Sequence, residues 1–371
     1  MKYYGNRFIC ILLALIFAFS ALTVYAYSEN IPSVSARAAA LYEPESESFI
    51  YKKNIKLKLP MASTTKIMTA LIVLENLPLD KEIEVDERAI GTDGSSIYLE
   101  RGEVMSTEAL LYSLMLGSAN DAAEALAYEI SGSIDAFSLL MNEKAAAIGA
   151  TDTQFKNPHG LDATDHYTTA HDLALISAEA LKNAKFKEIA STYKKEVTSN
   201  IKTRLVVNHN KLLKMYDGCI GVKTGYTQLS GRSLVGAAVR DGLTLISVTI
   251  DAPDDWSDHK KLFDYGFKNM HCEVLLEKAE FKRAIPVLSG EKQQISVENS
   301  KEIKIIYNRE RPKISKEIRL DRYILAPINE GDTIGKIIYK DGERILGESP
   351  IVATEQVDTV KKKSFFERIF G

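Results

Sequence analysis

At 371 residues, with 45% hydrophobic and 26% charged residues, the chain is long enough for one large core and one small one, since single cores rarely grow past about 250 residues. That balance excludes collagenous and disordered classes. A net charge of -3, with acids and bases mixed along most of the chain, leaves no extended basic face for nucleic acid.

Lys2 and Arg7 precede an apolar run from Phe8 to Val24 that ends in Val24-Tyr25-Ala26. The pattern predicts a secretory signal over residues 1–26, cut after Ala26, with an uncleaved membrane helix as the alternative. Either way the folded part is expected outside the cytoplasm. Cys10 would leave with the signal, so Cys219 and Cys272 could form at most one disulfide. No Cys-x-x-Cys or Cys/His cluster is present, packing roles are expected for both thiols, and neither a metal nor a cofactor is expected.

Ala38–Tyr42 and Ser48–Tyr51 read as two short strands around Glu43-Pro44-Glu45. From Ser63 to about Ala180 the pattern is mostly helical, with Gly132 and Gly149 as stops. Gly218–Thr224, Ser233–Arg240 and Leu243–Asp251 read as strands, the last two joined by Asp241-Gly242, a strong hairpin signal. A helix from about Asp254 to Lys268 would cover the sheet. The expected fold class is therefore α/β in the α+β sense, an antiparallel sheet flanked by helices beside a helical lobe. Residues 27–275 would form this domain. Residues 276–355 alternate short strands with turns at Glu330-Gly331-Asp332 and Asp341-Gly342, predicting a small all-β domain. In residues 356–371, Phe365, Phe366, Ile369 and Phe370 share one arc of a helical wheel. Lys361 and Lys363 lie elsewhere, and Lys362 must snorkel. That predicts an amphipathic helix on an anionic membrane surface.

Three short motifs carry chemistry. Ser63-Thr64-Thr65-Lys66 opens an apolar run through Ile67, Met68, Leu71 and Ile72, which places Ser63 at a helix start. N-terminal N–H groups there stabilise developing negative charge, and residues three apart share a face, so the Lys66 amine can reach the Ser63 hydroxyl. Lysine acts as a base only if burial or a second cation lowers its pKa; Lys223 could be that cation. Ser118-Ala119-Asn120 falls between two helical segments. Its hydroxyl can relay a proton between Lys66 and a leaving amine, and the Asn120 amide can both donate to and accept from a peptide backbone. Lys223-Thr224-Gly225 ends a strand, where Lys and Thr can grip a carboxylate and Gly lets a substrate backbone approach. Each motif alone is commonplace; the ordered set of three is not.

On that set the chain resembles the low-molecular-mass penicillin-binding proteins that are serine-type D-alanyl-D-alanine carboxypeptidases. The likeness runs from about Ala38 to Met270 and includes Gly94-Ser95-Ser96, Asn157-Pro158-His159-Gly160-Leu161 and Gly221–Thr227 with Gly231-Arg232. The resemblance implies that Ser63 attacks the penultimate D-alanine carbonyl, that Lys66 takes its proton and that Ser118 helps return one to the leaving D-alanine. It implies further that Asn120 holds the substrate amide, that Lys223 and Thr224, beside Gly225, bind the terminal carboxylate, and that the N–H groups of Ser63 and Tyr226 form the oxyanion hole. The implied partners are peptidoglycan stem peptides ending in D-Ala-D-Ala, β-lactams as inhibitors, and the outer face of the cytoplasmic membrane. Two departures stand out. Ala119 replaces the commoner Gly or Asp, and His209 stands where some relatives carry Arg. The rival readings are a β-lactamase, against which the absence of a Glu-centred deacylation loop counts, and a non-catalytic wall-binding or penicillin-sensing module.

Overall fold

The computed structural model describes residues 31–360. Strands β1 (Ala38–Glu43) and β2 (Ser48–Lys53) form the expected hairpin. The helical region holds α1 (Lys66–Asn76), α2 (Thr107–Met115), α3 (Asn120–Ser131), α4 (Ile134–Ile148), α5 (Ala170–Lys182) and α6 (Ala184–Ser191). Gly132 and Gly149 cap α3 and α4 in the left-handed conformation, as the sequence predicts. The stretch is less helical than its pattern suggests. Residues 77–106 are largely irregular, with a short antiparallel pairing of Glu82–Glu84 with Val104–Ser106, and residues 150–169 form loops tied down by side chains such as Asp172, which accepts from the Asp152 amide and the Thr153 hydroxyl.

Strands β3 (Cys219–Thr227), β4 (Gly231–Arg240) and β5 (Leu243–Ile250) complete an antiparallel sheet of order β2-β1-β5-β4-β3. Asp241 and Gly242 both have positive φ, the backbone that a tight β4–β5 turn requires. Period-2 alternation splits β4 between two layers: Val235 and Ala237 join the helical-lobe core, while Gly236 between them faces His259 and Phe263. Those two residues belong to α7 (Asp255–Asn269), which covers the other side of the sheet.

After α7 come β6 (Met270–Leu276), β7 (Lys282–Leu288), β8 (Gln294–Asn299), β9 (Ile303–Asn308), β10 (Ser315–Leu320), β11 (Ile324–Leu325), β12 (Thr333–Asp341) and β13 (Arg344–Ala353). β6 pairs with β9, and the other six form a sheet of order β10-β12-β13-β8-β7-β11, closed over a core that includes Ile285, Val297, Ile337 and Ile351. One expectation is corrected. Residues 356–360 are not helical but extended: Val357 is buried and bridges Ile328, and Thr359 bridges Gly290, because an apolar side chain there completes the β core. The rest of the expected amphipathic helix, residues 361–371, and the expected signal lie outside the described residues. Among the described residues, no helix is long and apolar enough to cross a membrane.

Candidate active site

Ser63 lies in a 3-10 turn, Ala62–Thr65, and the α-helix proper begins at Lys66 rather than at Ser63. The turn is tightened by hydroxyls that reach back to carbonyls, Thr64 Oγ1 to Met61 O at 2.6 Å and Thr65 Oγ1 to Ala62 O at 2.8 Å. His166 supports it from below. Its Nδ1 accepts from the Lys156 amide, so its proton sits on Nε2 and is donated to Thr65 Oγ1 at 2.9 Å. Burial lowers the His166 pKa to about 4, keeping the ring neutral.

Lys66 is fully buried, with Nζ 3.0 Å from Ser63 Oγ, 2.6 Å from Asn120 Oδ1 and 2.7 Å from His159 O. Its pKa falls well below the ordinary lysine value, chiefly through burial and then through Lys223, with Asp121 opposing. A neutral amine has two N–H bonds and one lone pair. The two carbonyl oxygens can only accept, so they take both N–H bonds and the lone pair is left for the Ser63 hydroxyl. The geometry is that of a general base against a nucleophile.

Asn120, 3% exposed, begins α3; its Nδ2 donates to Asp93 O at 2.6 Å and its backbone N–H to Ser95 O at 2.7 Å. With Oδ1 held by Lys66, what remains for a substrate is the second Nδ2 hydrogen. The backbone contact to Ser95 is one of the hydrogen bonds that fold residues 93–99 against α3. Ser118 has positive φ and is 4% exposed, and among the described residues its hydroxyl makes no side-chain hydrogen bond. It lines the cleft without a hydrogen bond to Lys66.

Lys223, 1% exposed, has its pKa lowered by burial to about 7 and donates to Thr224 O at 3.1 Å. Gly225 shows why that position must lack a side chain: a Cβ there would lie 3.0 Å from Ser63 N and 3.1 Å from Met61 O. The next residue, Tyr226, is 66% exposed at the cleft rim. The cleft, about 350 Å³, is lined by Ser63, Ser118, Thr224, His209, Arg232 and Trp256 among others. Arg232 Nη2 binds both Asp255 carboxylate oxygens, at 2.7 and 2.9 Å, while burial and then Lys223 lower the His209 pKa.

The structure thus brings together Ser63, Lys66, Ser118, Asn120, Lys223, Thr224, Gly225 and Tyr226. Sequence reasoning missed several supports. Asp121 is fully buried and accepts from Ser96 Oγ and the Ile97 and Leu99 amides, fixing the 94–99 loop over the site. His159 Nδ1 accepts from the Leu161 amide, so Nε2 donates to Glu124 at 3.1 Å, holding the loop whose carbonyl binds Lys66. The sequence signal for these was their place in or beside the segments that carry the resemblance, Gly94-Ser95-Ser96 and Asn157–Leu161, without a role for any single side chain. Cys219 and Cys272 are free rather than paired, and burial raises the Cys219 thiol to about 11, as suits an unreactive packing residue. Among the described residues, no group of three or more His, Cys, Asp or Glu is placed to hold a metal ion.

Fold and site together set a serine hydroxyl against a buried lysine amine on an α+β scaffold, an arrangement suited to serine hydrolase chemistry. Residues 25–254 match the family model described as D-alanyl-D-alanine carboxypeptidase, and residues 274–359 match that of the penicillin-binding protein 5 C-terminal domain. The chain belongs to the D-alanyl-D-alanine carboxypeptidase family, whose members are serine hydrolases. It is 32% identical to the D-alanyl-D-alanine carboxypeptidase DacF of Bacillus subtilis, over 91% of this chain and 89% of that one. It is 31% identical to DacC of Escherichia coli over 96% and 92% of the two chains. Penicillin-binding protein 5 of Haemophilus influenzae superposes with a TM-score of 0.66 at 26% identity, covering 89% of this chain and all of that one.

Proposed function

We propose that this enzyme removes the terminal D-alanine from peptidoglycan stem pentapeptides through an acyl-enzyme on Ser63. The observation that carries the reading is the Lys66 amine, buried, with its pKa held well below the ordinary lysine value, 3.0 Å from Ser63 Oγ and within hydrogen-bond distance of two carbonyl oxygens. Lys66 accepts the hydroxyl proton as Ser63 Oγ attacks the carbonyl of the penultimate D-alanine. The backbone N–H groups of Ser63 and Tyr226 receive the oxyanion, since Gly225 lets β3 pass directly beside Ser63. Lys223 and Thr224 bind the terminal carboxylate, and Asn120 donates its free amide hydrogen to the substrate backbone. Collapse of the tetrahedral intermediate breaks the C–N bond, and a proton passes from Lys66 by way of Ser118 to the leaving amine. Water then hydrolyses the acyl-enzyme, again with Lys66 as base.

A β-lactam presents a carbonyl and a carboxylate in the same relation, so it would acylate Ser63 and stall there. The role is in cell wall biogenesis and cell shape, at the outer face of the cytoplasmic membrane. The signal-like run at residues 1–26 and the apolar arc of Phe365, Phe366, Ile369 and Phe370 beside Lys361–Lys363 support that location. The test is D-alanine release from a diacyl-Lys-D-Ala-D-Ala peptide by the chain from Tyr27 onward. Release is expected from the wild type and not from Ser63→Ala; a folded wild-type protein that releases none would overturn the assignment.

A further inference from the structure

The small β domain carries an apolar tip that its own fold leaves uncovered. Leu288 ends β7 and is the register partner of Leu325 in the parallel strand β11; the two are 44% and 65% exposed. Along β7 the alternation is sharp, with Ile285 and Val287 buried in the domain core and Leu288 turned outward. Tyr323, 57% exposed, lines the same shallow groove as Leu325, together with Ile324, Pro327 and Ile334. Groups of this kind, apolar bodies with one aromatic carrying a polar end, suit a membrane–water boundary better than open water.

The position of Val360 identifies the occupant. The Val360 amide donates to Ser289 O at 2.9 Å and Thr359 bridges Gly290, so residues 359 and 360 run beside the end of β7 at Leu288, with Val360 itself 55% exposed. The next residues in sequence are Lys361, Lys362 and Lys363, followed by Phe365 and Phe366. On the folded tip itself exposed Arg322 is outnumbered by Asp321, Asp332 and Asp358, so the attraction to an anionic leaflet comes from Lys361–Lys363. A polybasic run favours an anionic leaflet, and a segment held to it from Val360 would bring Leu288, Tyr323 and Leu325 to the same surface.

We infer that the tip formed by Leu288, Tyr323 and Leu325 is a second, folded contact with anionic phospholipid, inserted beside the C-terminal segment. The inference rests on the membrane location proposed above and adds to it a contact made by the folded domain itself. Two attachment points would fix the orientation of the β domain on the bilayer, where one short segment would leave it free to swivel. Neither needs to be strong alone, since a second contact on a tethered chain acts at high effective concentration.

The experiment uses the chain from Tyr27 onward and mixed phosphatidylcholine–phosphatidylglycerol vesicles. Trp256 is the protein's single tryptophan and lies in the active-site cleft, so the wild type gives the baseline for a Leu325→Trp variant. Quenching of the variant, but not of the wild type, by lipids with brominated chains is the expected result. An introduced indole that stays unquenched on bound protein would overturn the tip contact. Tyr323→Asp/Leu325→Asp should weaken vesicle binding about tenfold while leaving hydrolysis of a soluble peptide unchanged. If that double variant binds as the wild type does while removal of residues 361–371 abolishes binding, the tip contact fails and the C-terminal attachment stands. If removing residues 361–371 changes nothing, that attachment fails instead, and the quenching alone decides the tip. If, without vesicles, the emission of the Leu325→Trp variant shifts to the red when residues 361–371 are removed, the groove holds that segment rather than lipid, which also overturns the inference.

Discussion

The backbone carbonyl of His159 accepts a hydrogen bond of 2.7 Å from Lys66 Nζ, across 93 positions of sequence. It is one of two acceptors that turn the Lys66 lone pair toward Ser63. The loop carrying it is pressed against the nucleophile's turn at Gly160, which has φ of +92° and room for no side chain, since a Cβ would run into the Ala62 carbonyl.

Gly160→Ala should therefore damage both stability and catalysis. Forced left-handed backbone plus a clash with backbone costs more than about 2 kcal/mol. Thermal unfolding would show the loss, and D-alanine release by the fraction that remains folded should fall at least about tenfold, because the His159 carbonyl is displaced from Lys66. Wild-type turnover in a folded Gly160→Ala protein would argue that this acceptor does not orient the base.

The pH dependence follows from two lysines with opposite requirements. Lys66 must be neutral to accept a proton, and its pKa is held well below the ordinary value, so loss of its base function should appear only on the acid side. Lys223 must be charged to bind the carboxylate, and its pKa is about 7, so kcat/KM should decline above about pH 7. Lys223→Arg, which cannot lose its charge in this range, should flatten the alkaline limb even if its overall rate is lower. An alkaline limb unmoved by that substitution would assign it to another group.

His209 lines the same cleft as Thr224, and burial together with Lys223 lowers its pKa, so near neutrality it adds no charge to carboxylate binding. His209→Arg should lower KM for the D-Ala-D-Ala peptide by about three- to tenfold with kcat little changed, since a charge-assisted hydrogen bond replaces a neutral one. Steady-state kinetics on the two proteins at about pH 8 separates the parameters.

Acid stability should report His259, which is fully buried between Ser247 Oγ and Thr249 Oγ1 with its pKa lowered by burial to about 3, against an ordinary value of 6.5. The folded ring stays neutral while the unfolded one takes up a proton. Its contribution is thus complete above pH 6.5 and is lost progressively as pH falls toward 3, at up to about 1.4 kcal/mol per pH unit. His166, at about 4, adds a similar slope over a narrower window. Denaturant unfolding followed from about pH 7 to about pH 4 should show a shallower loss in a folded His259→Gln variant; an identical slope would remove His259 as a source.

Much of this is legible in the sequence because it is local. Gly132 and Gly149 end helices and Asp241-Gly242 turns a hairpin through backbone preferences that short segments express alone. The three motifs are readable as residue types in order. What is not legible depends on long-range contact. That Ser63 sits in a 3-10 turn is set by Thr65 and His166, 101 positions apart. That Asn120 spends its amide oxygen on Lys66 follows from how α3 packs against α1. The extended path of residues 356–360 follows from Val357 filling the β core, where the polar–apolar pattern alone favours continuing a helix.

The most direct test of Ser63 as an activated nucleophile is the intact mass of the chain after brief exposure to benzylpenicillin, followed by peptide mapping. One equivalent of covalent adduct is predicted, on the peptide that contains Ser63, absent in Ser63→Ala and formed far more slowly in Lys66→Ala. An adduct that persists in Ser63→Ala, or that maps to another residue, would contradict the account.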